Sequence, residues 1–238
     1  VLKFSDVSYR VGGRDVLRNL TFEVEAGKTL VLLGRSGSGK TTALKMVNAL
    51  VLPTGGAVEV EGRATTAWDP IDLRRRIGYV IQETGLFPHF TVAANVAVVP
   101  KLNQWPPERI DARVDELLTR VGLAPKDYAR RYPRELSGGQ RQRVGVARAL
   151  AADPPILLFD EPFGSLDPVT RHEVRQEFNA LARNLGKTVL FVTHDIQEAL
   201  EIGDQIGVLK DGRLEELLPA RDFTKARSSE ALAFLSTM

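Results

Sequence analysis

Three short runs of this sequence carry residues suited to handling a chain of phosphates. Gly34-Arg35-Ser36-Gly37-Ser38-Gly39-Lys40-Thr41 satisfies G-x-x-x-x-G-K-[ST], with the apolar run Thr29 to Leu33 before it and a helix-like stretch from Thr42 to Leu50 after it. A triphosphate carries several negative charges, so its site needs backbone N–H groups aimed inward. A glycine-rich bend feeding a helix N-terminus presents them at close range. Gly34, Gly37 and Gly39 permit that approach, Lys40 supplies a point charge for the β and γ phosphates, and the Thr41 hydroxyl is placed to ligate the magnesium that bridges them. The second run, Ile156-Leu157-Leu158-Phe159-Asp160, reads as a strand delivering a carboxylate at its C-terminal end, where ligands sit in open α/β sheets, and Glu161 follows on the opposite side. The third, Leu136-Ser137-Gly138-Gly139-Gln140, begins a helix-like stretch from Gln140 to Ala151 and forms a second anion site without a second lysine. One chain cannot readily use both sites on one nucleotide. A helix N-cap explains Ser137 but not the whole pentapeptide.

These residues need a frame. The first thirty or so residues alternate apolar and polar positions (Leu2, Phe4, Val7, Tyr9, then Leu20, Phe22, Val24) around Gly12-Gly13, which predicts a small antiparallel sheet. Apolar strands separated by helices follow: Thr29 to Leu33, Ile77 to Ile81, Pro155 to Phe159, Thr188 to Val192 and Gln205 to Leu209, the pattern of a buried parallel sheet. Between Thr84 and Glu135 strand signals fade, and Ile110, Val114, Leu117, Leu118 and Val121 share one face of a helix opening after Pro106-Pro107. The expectation is one α/β domain over 1–238, with 84–143 a helical insert between core segments 1–83 and 144–238. With 32 Lys and Arg against 30 Asp and Glu, the net charge of +2 gives no electrostatic case for nucleic acid. The clusters Arg74-Arg75-Arg76 and Arg141/Arg143 read as solvated helix faces. Zero cysteines exclude a disulfide scaffold or a thiolate metal site, so metal must come through oxygen ligands. No apolar run approaches the roughly 18 residues of a membrane span, so a membrane role needs a partner chain.

Taken together, the phosphate loop, the Asp160-Glu161 strand end and the Ser137-Gly138-Gly139-Gln140 run resemble the nucleotide-binding subunit of an ATP-binding cassette (ABC) transporter, and the resemblance covers nearly the whole chain. It implies a P-loop NTPase fold with a RecA-like parallel core, an N-terminal antiparallel β-subdomain and an inserted α-helical subdomain. It implies ATP and Mg2+ as cofactors, with Asp160 the Walker B aspartate at the metal and Glu161 the base that orients or deprotonates the attacking water. Gln82, followed by Glu83-Thr84-Gly85-Leu86-Phe87-Pro88, resembles the Q-loop, whose amide joins the magnesium shell and reports γ-phosphate occupancy to the insert that receives the permease. Ser165-Leu166-Asp167 resembles the D-loop that communicates across a dimer, although before Pro168 it equally suits a helix cap. His194 in Thr193-His194-Asp195 matches the switch histidine at the γ-phosphate, and Tyr9 the aromatic on which adenine stacks, although an aromatic in an alternating strand is usually core. His89 and His172 read as ordinary polar residues.

In the family two subunits pair head to tail around ATP, each signature loop capping the γ-phosphate held by its partner, beneath transmembrane permease subunits at the cytoplasmic face of the membrane. Ala43-Leu44-Lys45-Met46-Val47-Asn48, Asp69-Pro70-Ile71-Asp72-Leu73-Arg74-Arg75, Leu86-Phe87-Pro88-His89 and Val99-Pro100-Lys101-Leu102 further resemble importers of glycine betaine, carnitine or choline, which work with a substrate-binding protein. Arg35 and Gly164 depart from the family pattern, where proline or a small residue and alanine are frequent. Two competing classes are an ATP-driven clamp on DNA or ribosomes, which usually carries long coiled-coil insertions or two cassettes, and a P-loop kinase, which needs neither the signature run nor the switch histidine.

Overall fold

The computed structural model describes residues 1–238 apart from 83, 165, 168, 172 and 177–185. Ser165 of the expected D-loop lies outside the described residues, as do Glu83, Pro168 and His172. In chain order the first elements are β1 (Leu2–Val11), β2 (Arg14–Val24), β3 (Thr29–Leu33), α1 (Lys40–Val47), β4 (Gly55–Val60), β5 (Arg63–Ala64), α2 (Pro70–Arg75) and β6 (Ile77–Val80). Helices α3 (Val92–Val96), α4 (Val98–Leu102), α5 (Pro107–Arg120), α6 (Pro125–Tyr128) and α7 (Gly138–Leu150) follow. The chain then forms β7 (Ile156–Asp160), β8 (Thr188–Thr193), α8 (Ile196–Ile202), β9 (Gln205–Lys210), β10 (Arg213–Pro219) and α9 (Ser229–Leu235). Two compact units divide it, Val1–Arg74 with Gly186–Met238, and Arg75–Leu185.

In the first unit, alternation along β1 and β2 produces an antiparallel pair in which Phe4 faces Phe22, their rings stacked at 4.3 Å. Gly12 and Gly13 make the turn with φ of 56° and 78°, which glycine adopts without a Cβ penalty. β4 and β5 extend this sheet in the order β2-β1-β4-β5. The second group of strands runs β10-β9-β3-β8, with β9, β3 and β8 parallel and β10 antiparallel to β9. Leu30, Val31, Leu32 and Leu33 are fully buried, as continuous apolar composition requires of a strand covered on both faces. β4 escaped the pattern reading because it opens Gly55-Gly56-Ala57. In β10 the adjacent Glu215 and Glu216 break the alternation, and a register shift falls between Leu214 and Glu216. α1 begins two residues before the expected Thr42, at Lys40, and stops at Val47 because Ala49 turns the chain with φ 52°.

In the second unit β6 and β7 pair in parallel, and α7 packs on β6 where Gly78 has no side chain. A Cβ at Gly78 would collide with the Ala149 carbonyl and stand 2.6 Å from Leu157 Cδ2. The expected apolar face of α5 is observed, with Ile110, Val114, Leu117, Leu118 and Val121 all buried. Of the arginine clusters expected to be solvated, Arg74 and Arg76 are exposed while Arg75, Arg141 and Arg143 are half-buried, and several of these side chains also serve backbone carbonyls. Arg74 donates to the carbonyls of Asn48 and Ala49, Arg141 to Leu136 and Arg143 to Val121, because a guanidinium can satisfy carbonyls left over at loop and helix ends.

Candidate nucleotide site

The phosphate loop is built within the first unit by the end of β3 and the start of α1. Gly34 N donates to the Thr193 carbonyl at 3.3 Å, so the loop leaves β3 beside the end of β8, where exposed His194 follows Thr193. The histidine is framed on both sides. The Thr193 hydroxyl donates to Glu198 at 2.5 Å and accepts from Asp195 N, while the Asp195 carboxylate caps α8 by accepting from Gln197 N and Glu198 N. Gly37 and Gly39 adopt φ of 80° and 104°, and a Cβ at Gly39 would stand 2.7 Å from Leu17 Cδ2. Lys40 is only 4% exposed, and its ammonium donates to the Gly34 and Arg35 carbonyls at 2.7 and 2.9 Å. Ser38 Oγ is buried with no hydrogen-bond partner among the described residues. The start of α1 has no side-chain cap and no acid in its first turn. Its half-buried Thr41 and Thr42 stand in that turn. This is a positively polarised helix start, as an anion requires. Tyr9 is half-buried on β1, opposite Leu17 in the strand register.

The second unit carries the carboxylates and the signature run. Asp160 ends β7 at 7% exposure, and the Tyr79 hydroxyl donates to its Oδ2 at 3.3 Å. Burial, then the Asp160 charge and this hydrogen bond, push the Tyr79 phenol well above its usual pKa, so it stays a donor throughout the physiological range. Glu161 takes φ 45°, a left-handed conformation costing on the order of 1 kcal/mol for a non-glycine residue, and this reverses the chain after Asp160. Gly164 N donates to the Glu161 carbonyl at 3.2 Å. A methyl at Gly164 would lie 3.6 Å from Gln82 Nε2 and 3.9 Å from Glu161 Oε2, so the exposed amide and the carboxylate flank one glycine.

The signature residues are engaged within their own unit. Ser137 Oγ accepts from Gln140 N at 3.2 Å and Gln140 Oε1 accepts from Ser137 N at 2.9 Å, a reciprocal capping box. Gln140 Nε2 reaches the Tyr128 hydroxyl at 3.2 Å. A Cβ at Gly139 would stand 2.6 Å from Thr170 Cγ2, whereas one at Gly138 would meet Leu166 at an ordinary 3.4 Å. Local structure therefore accounts for more of the pentapeptide than the sequence reading allowed. Asp167 is exposed and caps the turn after it, accepting from Thr170 N at 3.1 Å.

A model described as ABC transporter matches residues 17–164. The chain belongs to the ABC transporter family. It is 46% identical to a glycine betaine/carnitine/choline transport ATP-binding protein of Bacillus subtilis, over 94% of this chain and 61% of that protein. It is equally 46% identical to a glycine betaine uptake system ATP-binding protein of Escherichia coli, over 94% of this chain and 75% of that protein. The chain thus spans about three fifths of the first relative's length. A solved ATP-binding cassette, a dimer in a post-hydrolysis state bound to ADP and Pi, superposes with a TM-score of 0.82 at 35% identity, covering 93% of this chain and 99% of that one. The fold is that of an ABC P-loop NTPase.

The cassette's own residues fit a nucleotide. The glycine cradle, the buried ammonium and the partnerless Ser38 hydroxyl all face the requirements of a phosphate chain. Each unit offers hard oxygen donors of the type magnesium takes together with phosphate oxygens and water: the Thr41 hydroxyl in the first, and the Gln82 amide oxygen and Asp160 carboxylate in the second. Among the described residues no group of three or more His, Cys, Asp or Glu side chains forms a metal cage by itself. Sequence reasoning missed Tyr79 at Asp160, Glu198 beneath Thr193, and Glu230 of α9, whose carboxylate meets Arg35 at 2.6 Å. A tyrosine beside an aspartate in a paired strand has no sequence signal, and neither does an acid 195 residues from its arginine.

Proposed function

We propose that this chain binds and hydrolyses ATP to energise an ABC importer, most plainly one for a quaternary-amine osmoprotectant such as glycine betaine. The observation that carries the nucleotide reading is the open start of α1, with Lys40 buried and held by two carbonyls it can exchange for phosphate oxygens. In this reading Gly34 to Thr42 wrap the phosphates and Tyr9 packs on the adenine. His194 and Gln82 contact the reacting end. Thr41, Asp160 and Gln82 hold Mg2+, which when bound neutralises developing charge on the phosphates. Glu161 takes the proton from water attacking the γ-phosphorus, and its position beside Gln82 at Gly164 suits that work. Two copies sandwich two nucleotides head to tail, with Ser137, Gly138, Gly139, Gln140 and Asp167 of each facing the partner's phosphates.

Residues 84–143 serve as the helical subdomain that meets the transmembrane permease subunits. Fully buried Asn95 supports this. It accepts from Phe87 N and donates to the Phe87, Phe90 and Thr91 carbonyls, which fixes a loop presenting Phe87, His89 and Phe90 as an exposed aromatic cluster. Such a patch suits a helical protein partner. No described helix is long and apolar enough to cross a membrane, so anchorage at the cytoplasmic face would come from the permease. The cargo follows from the relatives' names and would reach the permease through a substrate-binding protein. No nucleic acid enters this scheme.

Glu161→Gln tests the chemistry. It should bind MgATP as the wild type does and release phosphate at least about 100-fold more slowly; wild-type turnover would overturn the assignment. Purifying the tagged chain from detergent-solubilised membranes tests the partners. Recovery of a multi-spanning permease with a quaternary-amine-binding protein supports the importer, whereas recovery of ribosomal or DNA-bound partners alone overturns it.

A further inference from the structure

The phosphate loop has an outer wall that the mechanism above does not use. Gly212 N donates to the Ser38 carbonyl at 3.0 Å, and Gly34 lies so close to the Leu209 carbonyl that no side chain would fit there. The β9–β10 hairpin thus braces the loop from behind. Next to it, Arg35 Nε meets Glu230 Oε1 at 2.6 Å, and Lys210 Nζ lies 3.8 Å from Glu230 Oε2. Lys210 also donates to Ser229 Oγ at 3.0 Å. Glu230 itself is held firmly. Ser228 caps α9 through Ala231 N, and the Glu216 carboxylate of β10 accepts from Arg227 N and Ser228 N.

The two ends of the pair differ in solvent access. The Arg35 side chain is 70% exposed and that of Glu230 only 7%. A wholly exposed pair would matter little. A buried carboxylate that loses its best partner keeps a desolvated negative charge, and that is costly. Here the charge would stand behind the loop that must receive a polyanion. The Arg35 carbonyl is moreover one of the two that hold Lys40 Nζ, so the residue tied to Glu230 also positions the ammonium.

We infer that Glu230 is a positioning residue for nucleotide binding: through Arg35 it fixes the phosphate loop, and Arg35 in turn cancels its charge. The inference rests on the nucleotide reading of the loop and predicts that the value of Arg35 depends on Glu230. The test is a double-mutant cycle on the full chain, with binding of a fluorescent MgATP analogue measured for wild type, Arg35→Ala, Glu230→Gln and the double variant, alongside Arg35→Lys. Arg35→Ala should weaken binding about tenfold in the wild-type background and about twofold or less when Glu230 is already glutamine. Arg35→Lys, which keeps the charge, should recover most of the affinity. Equal costs in both backgrounds, or no cost in either, would overturn the inference. If Glu230→Gln does not fold, Glu230→Ala, which also removes the charge, carries the same cycle. A wild-type chain that binds no better than Lys40→Ala would instead refute the nucleotide reading itself, so the two failures are distinct.

Discussion

The starts of α1 and α7 are both glycine-rich and both proposed to meet phosphate, yet they stand in opposite states. α1 has no side-chain cap, a buried cation in its first turn and, just before it, the buried Ser38 hydroxyl without a partner among the described residues. α7 is closed by Ser137 and Gln140 on each other's amides, with Gly139 packed against Thr170. A helix leaves its first four N–H groups without intrahelical partners, and what fills them decides what the end can bind. The open end can take a ligand within its own chain. The closed end must exchange internal hydrogen bonds for external ones and carries no lysine, so it gains little from a nucleotide that nothing else holds. This difference supports the proposal that the second site acts only when a partner presents the phosphates.

The sharpest way to break the comparison is to remove the cation. Lys40→Ala deletes charge-assisted hydrogen bonds worth about 1.5–3 kcal/mol each and should weaken ATP binding by roughly 100-fold or more in a direct binding assay. Near-wild-type affinity would mean that the amides alone suffice and that the open end owes nothing to its lysine. The Glu161→Gln variant described above ranks next, because it leaves both helix starts intact and should separate binding from turnover.

Much of this contrast was legible in residue order. The phosphate loop, the strand ending in Asp160 and the run from Ser137 to Gln140 each combine a local spacing with a local element, and local spacing is what a sequence displays. β10 was invisible because Glu215 and Glu216 interrupt its alternation, and β4 because it starts with two glycines. The bonds that join distant segments left no trace either: Tyr79 to Asp160, Arg148 to the Thr84 and Gly85 carbonyls, and Glu230 to Arg35. Each depends on topology bringing two otherwise ordinary residues together. The capping of α7 was half legible, since Ser137 announced itself and Gln140 did not.

A smaller effect comes from opening the closed end. Ser137→Ala removes one arm of the capping box and should cost about 1 kcal/mol, a fall in melting temperature of roughly 2–4 °C. MgATP binding by a dilute, single chain should be unchanged, whereas ATP-driven self-association in a Glu161→Gln background should weaken. Unaltered self-association would show that the serine serves only its own helix.

The neighbouring Asp167 gives a pH-dependent test. The hydrogen bond from Thr170 holds its carboxyl below the ordinary carboxylate range. A lower pKa in the folded state than in the unfolded chain means that the stabilisation is present above the unfolded value, about 3.9, and is lost as pH falls through the folded one. The difference in urea midpoint between wild type and Asp167→Asn should therefore be largest near neutrality and vanish in acid. A gap that widened on acidification would contradict the capping role.

Gly138→Ala should have the smallest effect on the fold and so separates packing from function at the closed end. A methyl there would meet Leu166 Cδ2 at 3.4 Å and Arg141 at 3.9 Å, both ordinary contacts, and the backbone does not need φ > 0. Alanine also favours a helix over glycine by up to about 1 kcal/mol, so the melting temperature should hold or rise slightly. Gly139→Ala is the control: its methyl would press on Thr170 Cγ2 at 2.6 Å and should destabilise the chain. If Gly138→Ala keeps its stability and loses ATP-driven pairing, the glycine is there so that a partner's phosphates can approach the backbone of α7. If it keeps both, the first glycine of the run has no role beyond its own helix, and the functional weight at this end shifts to Ser137.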